Sequence, residues 1–324
     1  MKGWRIFLVA LGLAFFGFLT VGEAQQKYPS RAIELVIPFA PGGSSDRLAR
    51  IFGDELARVL KVRVIMVNRP GGSGIKAATY VTMAKKDGYV IFEGTATSLG
   101  IMPIISKEAK YDPVKDFIPL GHFASVPSVV SVRSDSPFQT LNDLIEFVRK
   151  NPGKLTNASA GFEVSYINLE VISSQNNIKI KTIPFRSGGE TLPAFLGGHV
   201  DMLCSTLTTL RGQLEAGKVR GLAITAKTRH PDFPNIPTTA ELGYPAANLR
   251  VWIGVFAPTG VPQQVPDVLI PALEKVFNTP EVIQRATKAG FTVDYMNPEE
   301  FRKFLESEIQ MIRKIAQAHK LAIK

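Results

Sequence analysis

Cysteine is almost missing from the 324 residues: Cys204 stands alone, so no internal disulfide can form. It falls in an apolar segment and reads as a small buried side chain. Histidine is scarce too, and His122, His199, His230 and His319 are scattered without the spacing of metal ligands. No G-x-S-x-G nucleophile elbow and no G-x-x-x-x-G-K-[ST] phosphate loop occurs. Without an activated nucleophile or an evident acid/base pair, the sequence points away from an enzyme, and neither a metal nor a cofactor is expected. Low-complexity tracts are absent, and no cluster of Lys and Arg interleaved with aromatics suggests nucleic acid.

A dinucleotide site is set aside on geometry. Gly72-Ser73-Gly74-Ile75-Lys76-Ala77 fits G-x-G-x-x-A, and Glu93 follows about 20 residues on. Yet Asn68-Arg69-Pro70 intervenes between the preceding strand and the glycines, whereas a dinucleotide turn needs its first glycine tight against the strand.

What is present is a globular composition, 45% hydrophobic with 22 prolines spread widely, and long enough for more than one domain. Lys2 and Arg5 precede an apolar run from Ile6 to Val21, and Gly22-Glu23-Ala24 carries small residues at the −3 and −1 positions of a cleavage site. Residues 1–24 are therefore expected to be a signal peptide cut after Ala24. A membrane anchor is the competing reading, disfavoured by three glycines and the cleavage-like end. No cysteine follows the run, which excludes a lipoprotein anchor. Removal of the segment takes away two cations and one acid, changing the formal charge from +10 to +9. The mature chain stays basic, which favours acidic small molecules as partners.

The stretch around which the chain is organised is Pro38 to Asp46. An apolar strand, Ala32 to Phe39, ends in Pro41-Gly42-Gly43-Ser44-Ser45-Asp46, and Leu48, Phe52, Leu56 and Val59 then recur at helical spacing. Two glycines allow close backbone approach, and Ser44 and Ser45 sit where a helix leaves its first N–H groups unpaired. Asp46 in the first turn suits helix capping as well as ligand contact. A helix end contributes only ~0.3–1 kcal/mol toward an anion, up to ~2 when partly buried, whereas micromolar binding needs about 8. Other loops must converge on the same anion.

The spacing supplies them. Pro70-Gly71-Gly72-Ser73 repeats the first loop 29 residues on, about one βαβ unit, after a strand from Val62 to Val67. A strand from Tyr89 to Glu93 runs into Gly94-Thr95-Ala96-Thr97-Ser98. Ligands bind outside the carboxyl ends of such strands. A crossing near Ser125 opens a second α/β pattern. There the helix carrying Leu141, Leu144, Ile145 and Val148, the strand before Ala160-Gly161-Phe162, a helix from about Val164, and Ile180 to Phe185 before Arg186-Ser187-Gly188-Gly189 follow in order. Strands at Val200 to Cys204 and Val219 to Thr225 complete the set. Trp252 to Ala257 reads as a return crossing, followed by helices near Gln264–Asn278, Pro280–Ala289 and Pro298–Ala318. The first domain is then discontinuous, 25–125 plus 251–324, the second is 126–250, and the two crossings act as hinges.

With these segments placed, the chain resembles the solute-binding receptors of tripartite tricarboxylate transporters, the Bug or TctC-like family. The resemblance is carried by Pro38 to Asp46, Asn68-Arg69-Pro70-Gly71, Asp87-Gly88-Tyr89, Tyr111-Asp112-Pro113, Asn151-Pro152-Gly153-Lys154-Leu155, Ala158-Ser159-Ala160-Gly161, Pro184-Phe185-Arg186-Ser187-Gly188, Leu196-Gly197-Gly198-His199-Val200-Asp201 and Phe256-Ala257-Pro258-Thr259-Gly260, in family order over nearly the whole mature chain. It implies an α/β fold: a two-domain periplasmic-binding-protein clamshell of the Venus flytrap, type II-like kind, each domain a mostly parallel sheet flanked by helices. It further implies an exported, monomeric periplasmic protein that closes on a small carboxylate and delivers it to the permease subunits of the transporter.

Carried over by position, the resemblance implies ligand contacts from Phe39, Gly42, Gly43, Ser44, Ser45 and Asp46, with Thr95 and Thr97 beside them. Ala160, Gly161, Ser165 and Arg186 would come from the opposing lobe. The sequence departs from the family pattern at Phe162-Glu163, where a glycine and a hydroxyl residue are common, and at Cys204-Ser205, where an Asp is common. Phe162, Glu163 and Ser205 are therefore candidates as well. Glu163 would repel a carboxylate unless it points to solvent or meets a positive group on the ligand. Two other functions are open from sequence: a ligand sensor that signals to a membrane sensor kinase, and an exported enzyme.

Overall fold

The computed structural model describes residues 27–185, 188–319 and 321. The expected signal peptide lies outside the described residues.

The chain enters as β1 (Ile33–Ile37), whose apolar side chains alternate between two covered faces. The helix α1 (Ser44–Leu60) follows, burying Leu48, Phe52 and Leu56 against one face of the sheet. It stops at Lys61, held in the left-handed region at φ 57°. Next come β2 (Val64–Asn68) and α2 (Ile75–Met83), the latter covering the opposite face with Ile75, Ala77, Ala78 and Val81. Then β3 (Val90–Thr95) leads through a wide turn at Ala96–Ile101 into the short α3 (Met102–Ile105).

The ten-residue β4 (Phe117–Val126) runs straight into β5 (Ser128–Arg133), with only Pro127 between them, and so carries the chain from one sheet to the other. There follow α4 (Leu141–Lys150), β6 (Thr156–Ser159), α5 (Val164–Gln175), β7 (Lys181–Pro184), α6 (Gly188–Leu196), β8 (Met202–Thr206), α7 (Leu207–Glu215) and β9 (Val219–Ile224). The chain returns in β10 (Val251–Pro258) and ends with α8 (Gln264–Phe277), α9 (Pro280–Lys288), β11 (Thr292–Met296) and α10 (Pro298–His319).

These strands make a six-stranded sheet in the order β11-β4-β10-β3-β1-β2 and a five-stranded sheet in the order β7-β6-β8-β5-β9. The α/β fold class holds, but both sheets are mixed where the sequence predicts mostly parallel ones. β1 pairs parallel with β2 and β3, and β6 parallel with β7 and β8; β10 runs antiparallel to β3 and β4, and β5 antiparallel to β8 and β9. The cause is the crossings. A helix-bearing βαβ connection keeps two strands parallel, whereas β5 and β10 enter their sheets from the other one with no such helix.

The tail completes the first sheet. α10 buries Phe301, Leu305, Ile309, Ile312 and Ile315 along one stripe, packs on β4 and also meets α5 beneath the second sheet. Phe301 lies 5.4 Å from the Trp252 ring and 5.1 Å from that of Phe256, so the return strand is clamped by aromatic contacts.

Candidate functional site

The loop from β1 to α1 is built to leave backbone donors free. Gly42 has φ 88°, which glycine adopts without strain, and Gly43 at the N-cap gives no side-chain cap to the helix. The first internal bond is Arg47 N–H to Gly43 C=O at 3.0 Å, so the N–H groups of Ser44, Ser45 and Asp46 have no helical partner. This first turn lines a cavity of ≈ 60 Å³ between the two sheets. One water needs about 10–15 Å³ on this measure, so the space suits a small solute.

Asp46 holds the loop in shape. One carboxylate oxygen accepts from Gly42 N–H at 3.0 Å and Arg50 Nε at 3.0 Å; the other accepts from Arg50 at 2.9 Å and Asn68 Nδ2 at 3.0 Å. Asn68, at the end of β2, also donates to the Phe39 carbonyl at 2.9 Å. Burial pushes the Asp46 carboxyl up, but the bonds from Arg50, Gly42 and Asn68 outweigh it and hold it below the ordinary aspartate value. Asp46 does not line the cavity.

Ser45 does, and its Oγ lies within hydrogen-bond distance of Glu93 Oε2, at 2.7 Å. Glu93 is fully buried at the end of β3, and burial raises its carboxyl well above the ordinary value; Ser45 opposes the shift and Asp46 adds to it. The positive end of α1 favours the ionised form by at most ~2 kcal/mol. Effective desolvation of a buried ion costs several kcal/mol, so burial decides the sign. Thr95 and Thr97, just beyond, line the cavity; Thr95 and Ser98 cap one another, Ser98 N–H donating to Thr95 Oγ1 at 3.2 Å and Thr95 N–H to Ser98 Oγ at 3.1 Å.

The opposing wall comes from the five-stranded sheet: Ala160 after β6, Glu163 at the N-cap of α5, Gly188 at the start of α6, Ser205 and Thr206 at the end of β8, and Thr209 in the first turn of α7. Glu163 faces the cavity with Oε1 accepting from Ala160 N–H at 2.9 Å. Burial raises its carboxyl, against the bonds from Ala160 and Ser159. The crossing strand β10 supplies Val251 and Ile253 as an apolar floor.

The walls touch directly. Ser44 Oγ lies 2.8 Å from Thr206 Oγ1 and 2.7 Å from Thr208 Oγ1, and Arg47 donates to the Thr208 carbonyl at 3.1 Å. On the other side of the cavity, Phe162 N–H donates to Ser73 Oγ at 3.3 Å. Gly161, at φ 106°, makes this approach possible, since a Cβ there would lie 2.7 Å from Ser73 Oγ. The glycine-rich Gly72–Gly74 turn, whose sequence mimics a dinucleotide fingerprint, thus serves as an inter-lobe contact.

Of the residues singled out in sequence, Phe39, Gly43, Ser44, Ser45, Thr95, Thr97, Ala160, Glu163 and Ser205 meet at the cavity. Gly42, Asp46 and Gly161 stand behind it and shape its loops. Phe162 turns its ring against Tyr166, 5.3 Å away, and Ser165 is buried, its carbonyl accepting from the Cys204 thiol at 3.2 Å. Arg186 lies outside the described residues. Ala40, Gly188, Thr206, Thr209, Val251 and Ile253 escaped sequence reading. The hydroxyl-rich run after Cys204 follows a strand's carboxyl end, the same signal that marked the other loops. Among the described residues no group of His, Cys, Asp and Glu could hold a metal. His122 is buried between Phe301 and Phe304, at 5.3 and 6.2 Å ring to ring.

Two sheet-based lobes, linked by adjacent strand crossings and meeting over a small hydroxyl-lined cavity, make this a periplasmic-binding-protein-like fold. The chain belongs to the tripartite tricarboxylate transporter family receptors (TctC), whose description matches residues 48–321. It is therefore a transporter-type binding protein of a non-enzymatic family. A protein from the tcbD-tcbE intergenic region of Pseudomonas sp. strain P51 is 32% identical over 98% of this chain and 95% of its own length. Among solved structures, the periplasmic binding protein BugD is 29% identical with a TM-score of 0.86, over 92% of this chain and 100% of that one. Rpa4515 of R. palustris with adipate is 28% identical with a TM-score of 0.86, over 91% and 99%. MatC of Rhodopseudomonas palustris with bound malate is 29% identical with a TM-score of 0.83, over 89% and 99%. No helix among the described residues is long and apolar enough to cross a membrane.

Proposed function

We propose that the protein captures a small organic carboxylate in the cavity between its lobes and delivers it to the permease subunits of a tripartite tricarboxylate-type transporter. In this reading residues 1–24 direct export to the periplasm and are removed. Residues 25–125 with 251–324 form one lobe and 126–250 the other, and the receptor works as a monomer. The observation that carries the reading is the convergence of the uncapped first turn of α1 with seven hydroxyl side chains, Ser44, Ser45, Thr95, Thr97, Ser205, Thr206 and Thr209. One helix end supplies at most ~2 kcal/mol toward an anion. Neutral hydrogen bonds add ~0.5–1.5 kcal/mol each, so several of them reach the ~8 kcal/mol of micromolar affinity. Adipate and malate in related structures support a dicarboxylate of that size.

Capture follows from the two-lobed geometry: the acid meets the α1 turn, the opposing loops close over it, and the anion leaves water for fixed N–H and O–H donors. The bonds from Ser44 to Thr206 and from Phe162 to Ser73 then tie the lobes together. Calorimetric titration with mono-, di- and tricarboxylates, aromatic acids and amino acids included, tests the reading. At least one member should bind with micromolar or tighter affinity; absence of heat across the whole panel would refute it.

A further inference from the structure

Glu93 has no part in the capture described above, yet it lies directly beneath it. Its Oε2 is 2.7 Å from Ser45 Oγ, its Oε1 has no hydrogen-bond partner among the described residues, and its side chain has no solvent exposure. Ser45 itself lines the cavity. We infer that Glu93 is a positioning residue for the anion: as a neutral acid it donates its Oε2 proton to Ser45 Oγ, which turns the Ser45 hydroxyl into a donor aimed at the ligand carboxylate. This inference rests on the proposed capture of an acid in the same cavity.

Proton supply decides which group donates. Ser45 has a single hydroxyl proton and can direct it to one acceptor at a time. An ionised Glu93 takes that proton, leaving Ser45 to present lone pairs, with a full negative charge behind them, to an incoming anion. A neutral Glu93 reverses the bond. Its proton belongs on Oε2, the oxygen with an acceptor within reach, and Ser45 then keeps its own proton for the ligand. The solitary Oε1 is better tolerated as a neutral carbonyl than as half of a carboxylate.

The surroundings favour the neutral form. From α1, Asp46 faces Glu93 and is ionised through its pairing with Arg50, so a second charge on Glu93 would meet repulsion. Across the sheet, Glu34 of β1 belongs to the opposite face, where it pairs with Arg69 and Tyr80. His122 of β4 is on that opposite face too, against Phe301 and Phe304. The paired residue on β10 is Val255, which carries no charge. Across the cavity stands Glu163, also acidic. Burial raises the Glu93 carboxyl in the direction that this role requires.

Adipate and malate titrated into the full chain from about pH 5 to about pH 9 provide the test. Wild-type affinity should be steady at low pH and fall about tenfold per pH unit once Glu93 titrates, with one proton taken up per ligand there. That uptake is read by repeating the titrations in buffers of different ionisation heat. Glu93→Gln, whose amide N–H donates to Ser45 at every pH, should lose the pH dependence and the proton uptake. Ser45→Ala should bind more weakly and show a flat profile, and it keeps the test available if Glu93→Gln does not fold. A pH-independent wild type, or a variant that retains the wild-type profile, overturns the role of Glu93 and leaves acid capture intact. No binding of either acid at any pH overturns both.

Discussion

Four donors converge on the carboxylate of Asp46, and none of them is a ligand. Gly42, Arg50 and Asn68 join the loop, the first turn of α1 and the end of β2 through this one side chain. Asp46→Ala should cost about 1–3 kcal/mol, the penalty for unmaking bonds to a buried charged group, measured by urea denaturation. The sign of its pH dependence follows from the depressed carboxyl. The contribution is present above the unfolded value of about 3.9 and is lost as the pH falls through the lower folded value. The gap between wild type and variant should therefore close in acid. The sequence made Asp46 equally suited to a cap and to a ligand contact, because both roles place an acid in a first turn. What separates them is Asn68, 22 residues away, which no local pattern reveals.

At the scale of elements, most helices and strands were legible from periodicity, since α1, α4 and the three tail helices each carry an apolar stripe and an end signal. Two strands were not. β4 contains Pro119, Gly121 and His122, which weaken a strand signal, and its bulged pairing with β10 accommodates them. β11 reads Thr-Val-Asp-Tyr-Met and is an edge strand, half exposed, so no continuous apolar run marks it. The stripe of α10 also conceals an acid. Glu308 is buried, accepts from Trp252 Nε1, and is pushed up to about 8 by burial, with Arg250 opposing. Its folded value lies above its unfolded one, so the stability it allows is full below about 4.5 and is lost as the pH rises toward about 8. Glu308→Gln should remove a slope of up to about 1.4 kcal/mol per pH unit in that window. Urea denaturation of both proteins at a series of pH values reads it directly.

At the scale of the molecule, function depends on which residues the topology brings together. The six-stranded sheet gathers residues from both ends of the described chain, so the α1 turn and β10 meet although more than 200 residues separate them in sequence. The carboxyl ends of β1, β3, β6 and β8 all open toward one cavity, the part of the site that strand-end reasoning could reach. Thr206 was hidden because its partner Ser44 belongs to the other lobe, and Thr209 joins the wall beside Thr206, whose Oγ1 lies 3.0 Å from its own. With Pro127 as the only residue between β4 and β5, and β10 paired alongside β4, the lobes are joined by adjacent strands, a connection suited to hinge closure.

The central claim is that both lobes grip one small acid. A crystal structure of the protein with malate or adipate tests it most directly. A carboxylate should lie within hydrogen-bond distance of the first-turn N–H groups of α1 and of Ser45, with Ala160, Ser205 or Thr206 in contact from the other side. An acid bound to one lobe alone, or bound away from the α1 turn, would contradict it.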